Sequence, residues 1–301
     1  MYRTFYGLLR SPFEMTPDPA FLYLAEPHRE GLATLVYAVR ERKGFVMLTG
    51  EVGTGKTTLL HALLARLDSE CSAAFIFNPR LEPLDFFRLL FDELGIESPC
   101  ASKADYLIAL NRFLIARLEG NRTTLLIVDE AQNLSADMLE EIRLLSNLET
   151  PRSKLLQILL VGQPELVEKL ARPELRQLRQ RIVLRHQLRP FDEEETGEYV
   201  EERLRLAGHT GGEIFKRSAV RTIWEVTGGV PRLVNVVCDS ALLLGFAKGW
   251  TRLGRGAILE VARDLDLTAA APRRPGDASG SQPAPRWLPF GLFRKRSAGR
   301  A

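Results

Sequence analysis

The sequence predicts an α/β fold, a parallel sheet with helices on both faces, followed by a small all-helical domain. Apolar strand-like segments alternate with helical segments up to residue 185 of the 301 residues. The segment Thr124–Val128 is apolar after its first residue, as expected of a strand that is buried on both faces of a parallel sheet. From residue 192 onward the sequence shows helical patterns and no convincing strand.

The elements of the α/β part are delimited by glycine, proline and polar residues. Strands are expected at Phe45–Thr49, Ala73–Phe77, Thr124–Val128, Leu155–Val161 and Ile182–Leu184. Helices are expected at Lys56–Leu67, Leu84–Leu94 and Ala104–Leu118, and after the N-cap Ser135 to about Leu148.

The second half contains four helical stretches separated by glycines and by Pro231, which suits the first turn of a helix. They are Glu193–Leu206, Lys216–Glu225, Pro231–Ala247 and Arg255–Asp264. A boundary near Pro190 therefore predicts a core over residues 1–190 and a helical domain over residues 191–266. Residues 267–301 have the Pro-, Arg-, Gly- and Ser-rich composition of a disordered tail.

Charge is distributed unevenly along the chain. The net charge is +3, but residues 269–301 alone carry +6, so the remaining residues carry −3. Because a nucleic-acid-binding body usually has a basic surplus, this distribution argues against a nucleic acid partner. The three cysteines are far apart and fit reduced thiols. No signal-peptide pattern and no apolar run of about 18 residues is present, so we expect a soluble, cytoplasmic protein.

A phosphate-binding motif lies between the first expected strand and the first expected helix. Its residues are Gly50, Glu51, Val52, Gly53, Thr54, Gly55, Lys56 and Thr57, followed by Thr58. Glycines let backbone N–H groups surround a phosphate, and the helix N-terminus adds positive charge. Lys56 is expected on the β- and γ-phosphates and Thr57 on Mg²⁺. The alternative is a glycine-rich hairpin that matches the motif by chance.

Two acids follow the strand at Thr124–Val128. Asp129 is expected beside the metal ion, and Glu130 at the position that polarises an attacking water. The alternative is a strand that ends in surface acids. A guanine-recognition element is absent from the later strands, because the loose match at 102–105 precedes Asp129. ATP is therefore the expected nucleotide, with Mg²⁺ as cofactor.

Five segments have distinctive sequences: the phosphate loop, the opening residues from Phe5 to Tyr23, Asp129–Leu134, Leu144–Glu149 and Val161–Leu166. Together they resemble the ExeA/GspA-type secretion ATPases, a branch of the AAA+ superfamily. The resemblance covers about residues 1–265. It implies a P-loop core with strand order 5-1-4-3-2 and a helical lid. Within this group, the short form of the chain is more similar to the secretion ATPases associated with exosortase and exopolysaccharide loci than to the larger GspA-like proteins.

The resemblance also implies roles for four further residues. Gln163 stands at the sensor 1 position that responds to the γ-phosphate. Arg181, or otherwise Arg179, corresponds to an arginine finger, the alternative being solvated charge at a helix end. Arg232 corresponds to sensor 2, over the nucleotide. The segment from Phe21 to His28 lies where such proteins contact adenine.

Other features have simpler interpretations. The histidines show no metal-site spacing and are expected at surface or boundary positions, at His28, His61, His186 and His209. The tail mixes bulky apolar residues with a basic cluster over residues 286–296, which suits either an anionic membrane surface or a solubilising end.

The expected function is an ATPase that forms ATP-dependent homo-oligomers and drives assembly of an envelope secretion or polysaccharide-export system. Such a protein would be cytoplasmic, with possible peripheral contact at the inner membrane. One alternative is an ATP-dependent, DNA-binding transposition regulator. Another is a nucleotide-gated adaptor with slow hydrolysis.

Overall fold

A computed structural model describes residues 1–14, 23–67, 71–77, 82–97, 102–151 and 153–267. The tail proposed for residues 267–301 lies outside this range from residue 268 onward. So do residues 21 and 22 of the segment expected near adenine.

A parallel sheet of five strands forms the centre of the α/β part, within the described residues. Its strands are β1 (Phe45–Gly50), β2 (Cys71–Ile76), β3 (Thr123–Val128), β6 (Leu156–Gly162) and β7 (Ile182–Leu188). A separate short hairpin joins β4 (Glu149–Thr150) and β5 (Ser153–Lys154). The spatial order β2-β3-β6-β1-β7 is the expected order 5-1-4-3-2, so the predicted fold class is confirmed.

Helices cover both faces of the sheet. One face packs against α2 (Glu26–Arg40) and α3 (Lys56–Leu67) through Leu35, Leu59 and their neighbours. The other packs against α4 (Pro83–Leu94), α5 (Lys103–Glu119) and α6 (Ala136–Leu145). Every residue of β1 and β6 is buried, as expected of central parallel strands. Two short helices, α7 (Glu165–Leu170) and α8 (Arg176–Arg181), connect β6 to β7.

The helical part consists, among the described residues, of α9 (Glu193–Leu206), α10 (Arg217–Thr227), α11 (Pro231–Lys248) and α12 (Arg255–Asp264). Asp192 caps α9 in a capping box with Glu195, and α10 ends at the left-handed Gly228. No helix in the described ranges is long and apolar enough to cross a membrane.

The N-terminal residues pack on the helical part rather than on the sheet, which differs from the division that placed them in the core. Tyr6, Leu8 and Phe13 belong to the apolar cluster of the helical part. Tyr6 Oη donates to the Trp250 carbonyl at 2.8 Å, and Arg203 Nε donates to the Pro12 carbonyl at 2.6 Å. These contacts fix residues 1–14, which in the described structure include the four-residue helix α1 (Tyr2–Phe5). The boundary near residue 190 stays a prediction.

Candidate nucleotide-binding site

The phosphate loop connects the end of β1 to the start of α3 and depends on two glycines. Gly53 has φ +82° and Gly55 has φ +95°, in the left-handed region. A Cβ on Gly53 would lie 2.7 Å from the Arg232 Cβ, and one on Gly55 would lie 2.8 Å from His28 Nε2. Both conformation and close neighbours therefore require glycine at these positions.

Lys56 lies on the inner side of this loop and is 7% exposed. Its Nζ donates to the carbonyls of Gly50 at 2.7 Å and Glu51 at 3.0 Å. Burial lowers the pKa of the ammonium, while the nearby Glu130 and Asp129 oppose that shift. A buried cation that donates to neutral carbonyls is well placed to exchange them for phosphate oxygens.

The remaining residues of the phosphate loop differ in their exposure to solvent. Glu51 and Val52 are exposed, whereas Thr54 is buried and its hydroxyl donates to the Glu51 carbonyl at 2.8 Å. Thr57 and Thr58, in the first turn of α3, line the same cleft as Lys56.

The two acids at the end of β3 differ in environment. Asp129 is 7% exposed, and burial raises the pKa of its carboxyl although the backbone N–H of Glu130 lowers it. Glu130 has φ +51°, and its Oε2 accepts bonds from Gln132 at 2.5 Å and Gln163 at 3.2 Å. Asp129 and Thr57 face one cleft and supply the carboxylate and hydroxyl oxygens that Mg²⁺ prefers alongside substrate phosphates. The residues therefore fit that ion.

The lid closes the cleft from the side of α11. The backbone N–H of Arg232 donates to the Gly53 carbonyl at 3.2 Å, and the Arg232 side chain is exposed where it lines the cleft. The cleft has a volume of about 390 Å³, within the range of small-molecule sites. Lid and phosphate loop thus enclose a space suited to a nucleotide.

An aromatic cluster forms the other end of the cleft: Tyr23 and His28 belong to the segment expected near adenine, whereas Phe191 and Tyr199 were not predicted. The ring of Phe191 lies 5.2 Å from that of Tyr199, 5.5 Å from that of His28 and 6.5 Å from that of Tyr23. The Tyr199 hydroxyl donates to Asn235 Oδ1 at 2.8 Å. Flat apolar surfaces beside a polar amide suit a purine base.

The expectation that His28 is a surface or boundary residue was wrong. Its side chain is 3% exposed, and Nε2 bonds the Thr54 carbonyl at 2.9 Å. Because a carbonyl only accepts, Nε2 carries the hydrogen and Nδ1 is unprotonated. Burial lowers the pKa of His28, against the bond to Thr54. The imidazole fills the space that Gly55 leaves by lacking a Cβ.

The structure brings Gln163 to the site and leaves both finger candidates outside it. Gln163 directly follows β6 and bonds Glu130. Arg181 donates to Ser146 Oγ and, at 2.8 Å, to Asn147 Oδ1 at the end of α6. Arg179 has an exposed side chain. Neither arginine lines the cleft formed by the described residues of this chain.

Comparisons with known proteins agree with this geometry. Residues 39–170 match the family model of an AAA domain. The chain is 43% identical over 266 residues to the general secretion pathway protein A of Aeromonas hydrophila, a match that covers 88% of this chain and 48% of that protein. The chain thus spans about half the length of this curated relative.

Solved structures with the same fold include proteins of the Cdc6 and ORC type. Cdc6p from Pyrobaculum aerophilum superposes with a TM-score of 0.62 at 18% identity, over 83% of this chain and 71% of that chain. Drosophila ORC bound to DNA superposes with a TM-score of 0.64 at 18% identity, over 85% and 64%. At such identities the likeness shows the fold alone. The resemblance read from the motifs is nevertheless confirmed: the chain is an AAA-domain protein of the P-loop fold, similar over most of its length to general secretion pathway protein A.

Proposed function

We propose that this protein binds ATP with Mg²⁺ and hydrolyses it to ADP and phosphate. The observation that carries the proposal is the convergence of the phosphate loop, two acids and the lid on one cleft. Lys56, Asp129, Glu130 and Arg232 all line it, although they come from α3, the loop after β3 and α11. The aromatic end of the cleft provides the surfaces for adenine.

Each side chain has a distinct part in the proposed reaction. Lys56 exchanges its bonds to the Gly50 and Glu51 carbonyls for phosphate oxygens and stabilises the charge that develops there. Glu130 orients the attacking water and takes up its proton. Asp129 and Thr57 hold Mg²⁺, which neutralises phosphate charge when bound.

The active form is proposed to be an oligomer, because neither finger candidate, Arg179 or Arg181, lines the cleft that the described residues of its own subunit form. Arg179 is exposed and is free to reach the cleft of a neighbouring subunit. Arg181 instead bonds Ser146 and Asn147 within its own subunit, so we assign it to positioning α8. This reverses the order of preference that the sequence suggested.

The biological setting is proposed from the similarity to general secretion pathway protein A. ATP turnover would power or regulate assembly of an envelope secretion or polysaccharide-export system from the cytoplasmic side. The basic tail would add peripheral contact with the inner membrane. These are proposals for the whole activity, since the match covers 48% of the relative.

Two variants separate binding from turnover. Lys56→Ala is expected to lose nucleotide binding, whereas Glu130→Gln is expected to bind ATP and lose hydrolysis. Fluorescent-nucleotide titration and phosphate release measure the two properties. Normal hydrolysis by Glu130→Gln would remove Glu130 from its role.

The client is tested by affinity capture with the Glu130→Gln protein in ATP, with Lys56→Ala as the control. Envelope export components that are retained only by Glu130→Gln would support the proposed setting. Retention of a transposase would instead favour the DNA-binding alternative.

A further inference from the structure

A hydrogen-bonded cluster surrounds the Glu130 carboxylate, and the motifs assign no role to its central residue, Gln132. Gln132 lies in a 3₁₀ turn that directly follows Glu130. Its Nε2 donates to Glu130 Oε2 at 2.5 Å, and Gln163 Nε2 donates to the same oxygen at 3.2 Å. Both side-chain amides thus hold one carboxylate oxygen.

A second partner sets the orientation of the Gln132 amide. The backbone N–H of Gln163 donates to Gln132 Oε1 at 3.1 Å. Because a backbone N–H is only a donor, the oxygen of this amide must face it, and the NH₂ group must face Glu130. One side chain therefore joins the Glu130 carboxylate to the backbone at the end of β6.

Gly162 and Lys169 constrain the position of Gln132. A Cβ on Gly162 would lie 2.7 Å from Gln132 Oε1, so the amide occupies space that any larger residue at 162 would need. Lys169 of α7 donates to the Gln132 carbonyl at 2.9 Å and to that of Leu134. Lys169 thereby ties the backbone of the turn to α7.

The backbone of Glu130 explains why such a restraint matters. With φ +51° and ψ 35° it adopts a left-handed conformation that is uncommon for a residue other than glycine. The torsions of the Glu130 side chain leave its carboxylate several positions unless other groups hold it. A misplacement of about 1 Å at a reacting group can cost about 100-fold in rate.

We infer that Gln132 is a positioning residue. It holds the Glu130 carboxylate in place and couples the position of that carboxylate to the position of Gln163 at the end of β6. The inference rests on the proposed function, because it takes Glu130 as the group that orients water. Movement of Gln163 is then transmitted to the carboxylate by two routes, directly from its own side-chain amide and from its backbone N–H through the Gln132 amide.

The test begins with Gln132→Leu, which keeps the side-chain volume and removes both hydrogen bonds. We expect kcat to fall about 10- to 100-fold, while ATP affinity changes by less than about threefold, as for a group that acts only in the transition state. Asn133→Ala is the matched control, since Asn133 is the exposed next residue of the same turn. Thermal unfolding reports whether each variant is folded.

Gly162→Ala is a second variant that tests the same inference without replacing Gln132 itself. Its Cβ must displace the Gln132 amide, and we expect the same loss of kcat with retained ATP affinity. This variant carries the test if Gln132→Leu fails to fold. Unchanged kcat in a folded Gln132→Leu protein overturns the inference, as does unchanged kcat in a folded Gly162→Ala protein.

A double-mutant comparison distinguishes positioning from a general structural effect. If Gln132 acts through Glu130, adding Gln132→Leu to Glu130→Ala leaves the residual rate unchanged. An equal fold-loss in both backgrounds overturns the inference. Absence of ATP turnover in the unmodified protein would overturn the proposed function. If Glu130→Ala abolishes turnover and Gln132→Leu does not reduce it, only the positioning role is overturned.

Discussion

Replacing His28 with alanine is expected to loosen the phosphate loop and to destabilise the fold. His28 Nε2 donates to the Thr54 carbonyl at 2.9 Å. Because the carbonyl and the N–H of a trans peptide point in opposite directions, this bond directs the Gly55 N–H away from His28. We expect that N–H to face the phosphates, so His28 prepares the loop for its ligand.

The magnitude follows from two lost contacts. Leaving the Thr54 carbonyl without its donor costs about 1–3 kcal/mol. Loss of the ring contact with Phe191, at 5.5 Å between centroids, adds about 1 kcal/mol. The free energy of unfolding should fall by about 3 kcal/mol, which lowers Tm by roughly 6–12 °C for a chain of this size. If about half of this free energy orders the loop, ATP binding weakens roughly tenfold.

Thermal unfolding without nucleotide and titration with a fluorescent ATP analogue measure these two effects. His61→Ala is the control, because His61 is an exposed histidine on α3. His28→Gln should recover part of the affinity by restoring an N–H donor. Equal Tm and equal ATP affinity of His28→Ala and His61→Ala would show that His28 neither stabilises the fold nor orders the loop.

The same histidine predicts a direction of pH dependence. Burial places the folded-state pKa of His28 below the usual value of 6.5, so the unfolded chain binds the proton more readily. Its contribution to stability is therefore present above pH about 6.5 and is lost as the pH falls through the folded-state pKa. His28→Gln should flatten this part of a stability–pH curve. An unchanged curve would contradict the assignment.

Four further replacements test other parts of the site. Arg179→Ala should lower kcat about 1000-fold without changing Tm and should be rescued by mixing with Glu130→Gln subunits, whereas Arg181→Ala should lower Tm because its guanidinium bonds the end of α6. A fall in Tm for both, or no rescue, would contradict the finger assignment. Phe191→Ala should weaken ATP binding about tenfold, measured by analogue titration, through lost contact with the base; unchanged affinity would place the base elsewhere. Gly53→Ala should abolish ATP binding in the same titration, because its φ is +82° and its Cβ would meet Arg232; normal binding would contradict this account of the loop.

The sequence predicted the elements whose signals are local. Buried strands such as β3 are short apolar runs, and the boundaries expected for α9 match the structure. β7 extends to Leu188 rather than Leu184, because polar residues on this edge strand interrupt the apolar pattern. Helix α2 was not predicted, since Pro27 and Gly31, both poor helix formers, obscure its start.

The aromatic end of the cleft illustrates what local signals omit. Its rings come from residues up to 176 positions apart in sequence. Tyr23 and His28 lie in the segment expected near adenine, but no motif connects them to Phe191 and Tyr199. Only the packing of the lid against the loop brings their rings together. The burial of His28 was missed for the same reason, because its partners are a loop carbonyl and a ring contributed by the lid.

The hydrogen bonds around Phe191 indicate how the lid would move relative to the phosphate loop. The Phe191 N–H donates to the Gly229 carbonyl, and Trp224 Nε1 donates to the Phe191 carbonyl, so this connecting residue is fastened to the lid. His28 is fastened to the phosphate loop. A lid that opens would therefore carry Phe191 and leave His28 behind, and a base bound in the proposed way, between both rings, would span the moving boundary. Because binding of that base would stabilise only the closed conformation of the lid, nucleotide occupancy and lid position would be thermodynamically linked.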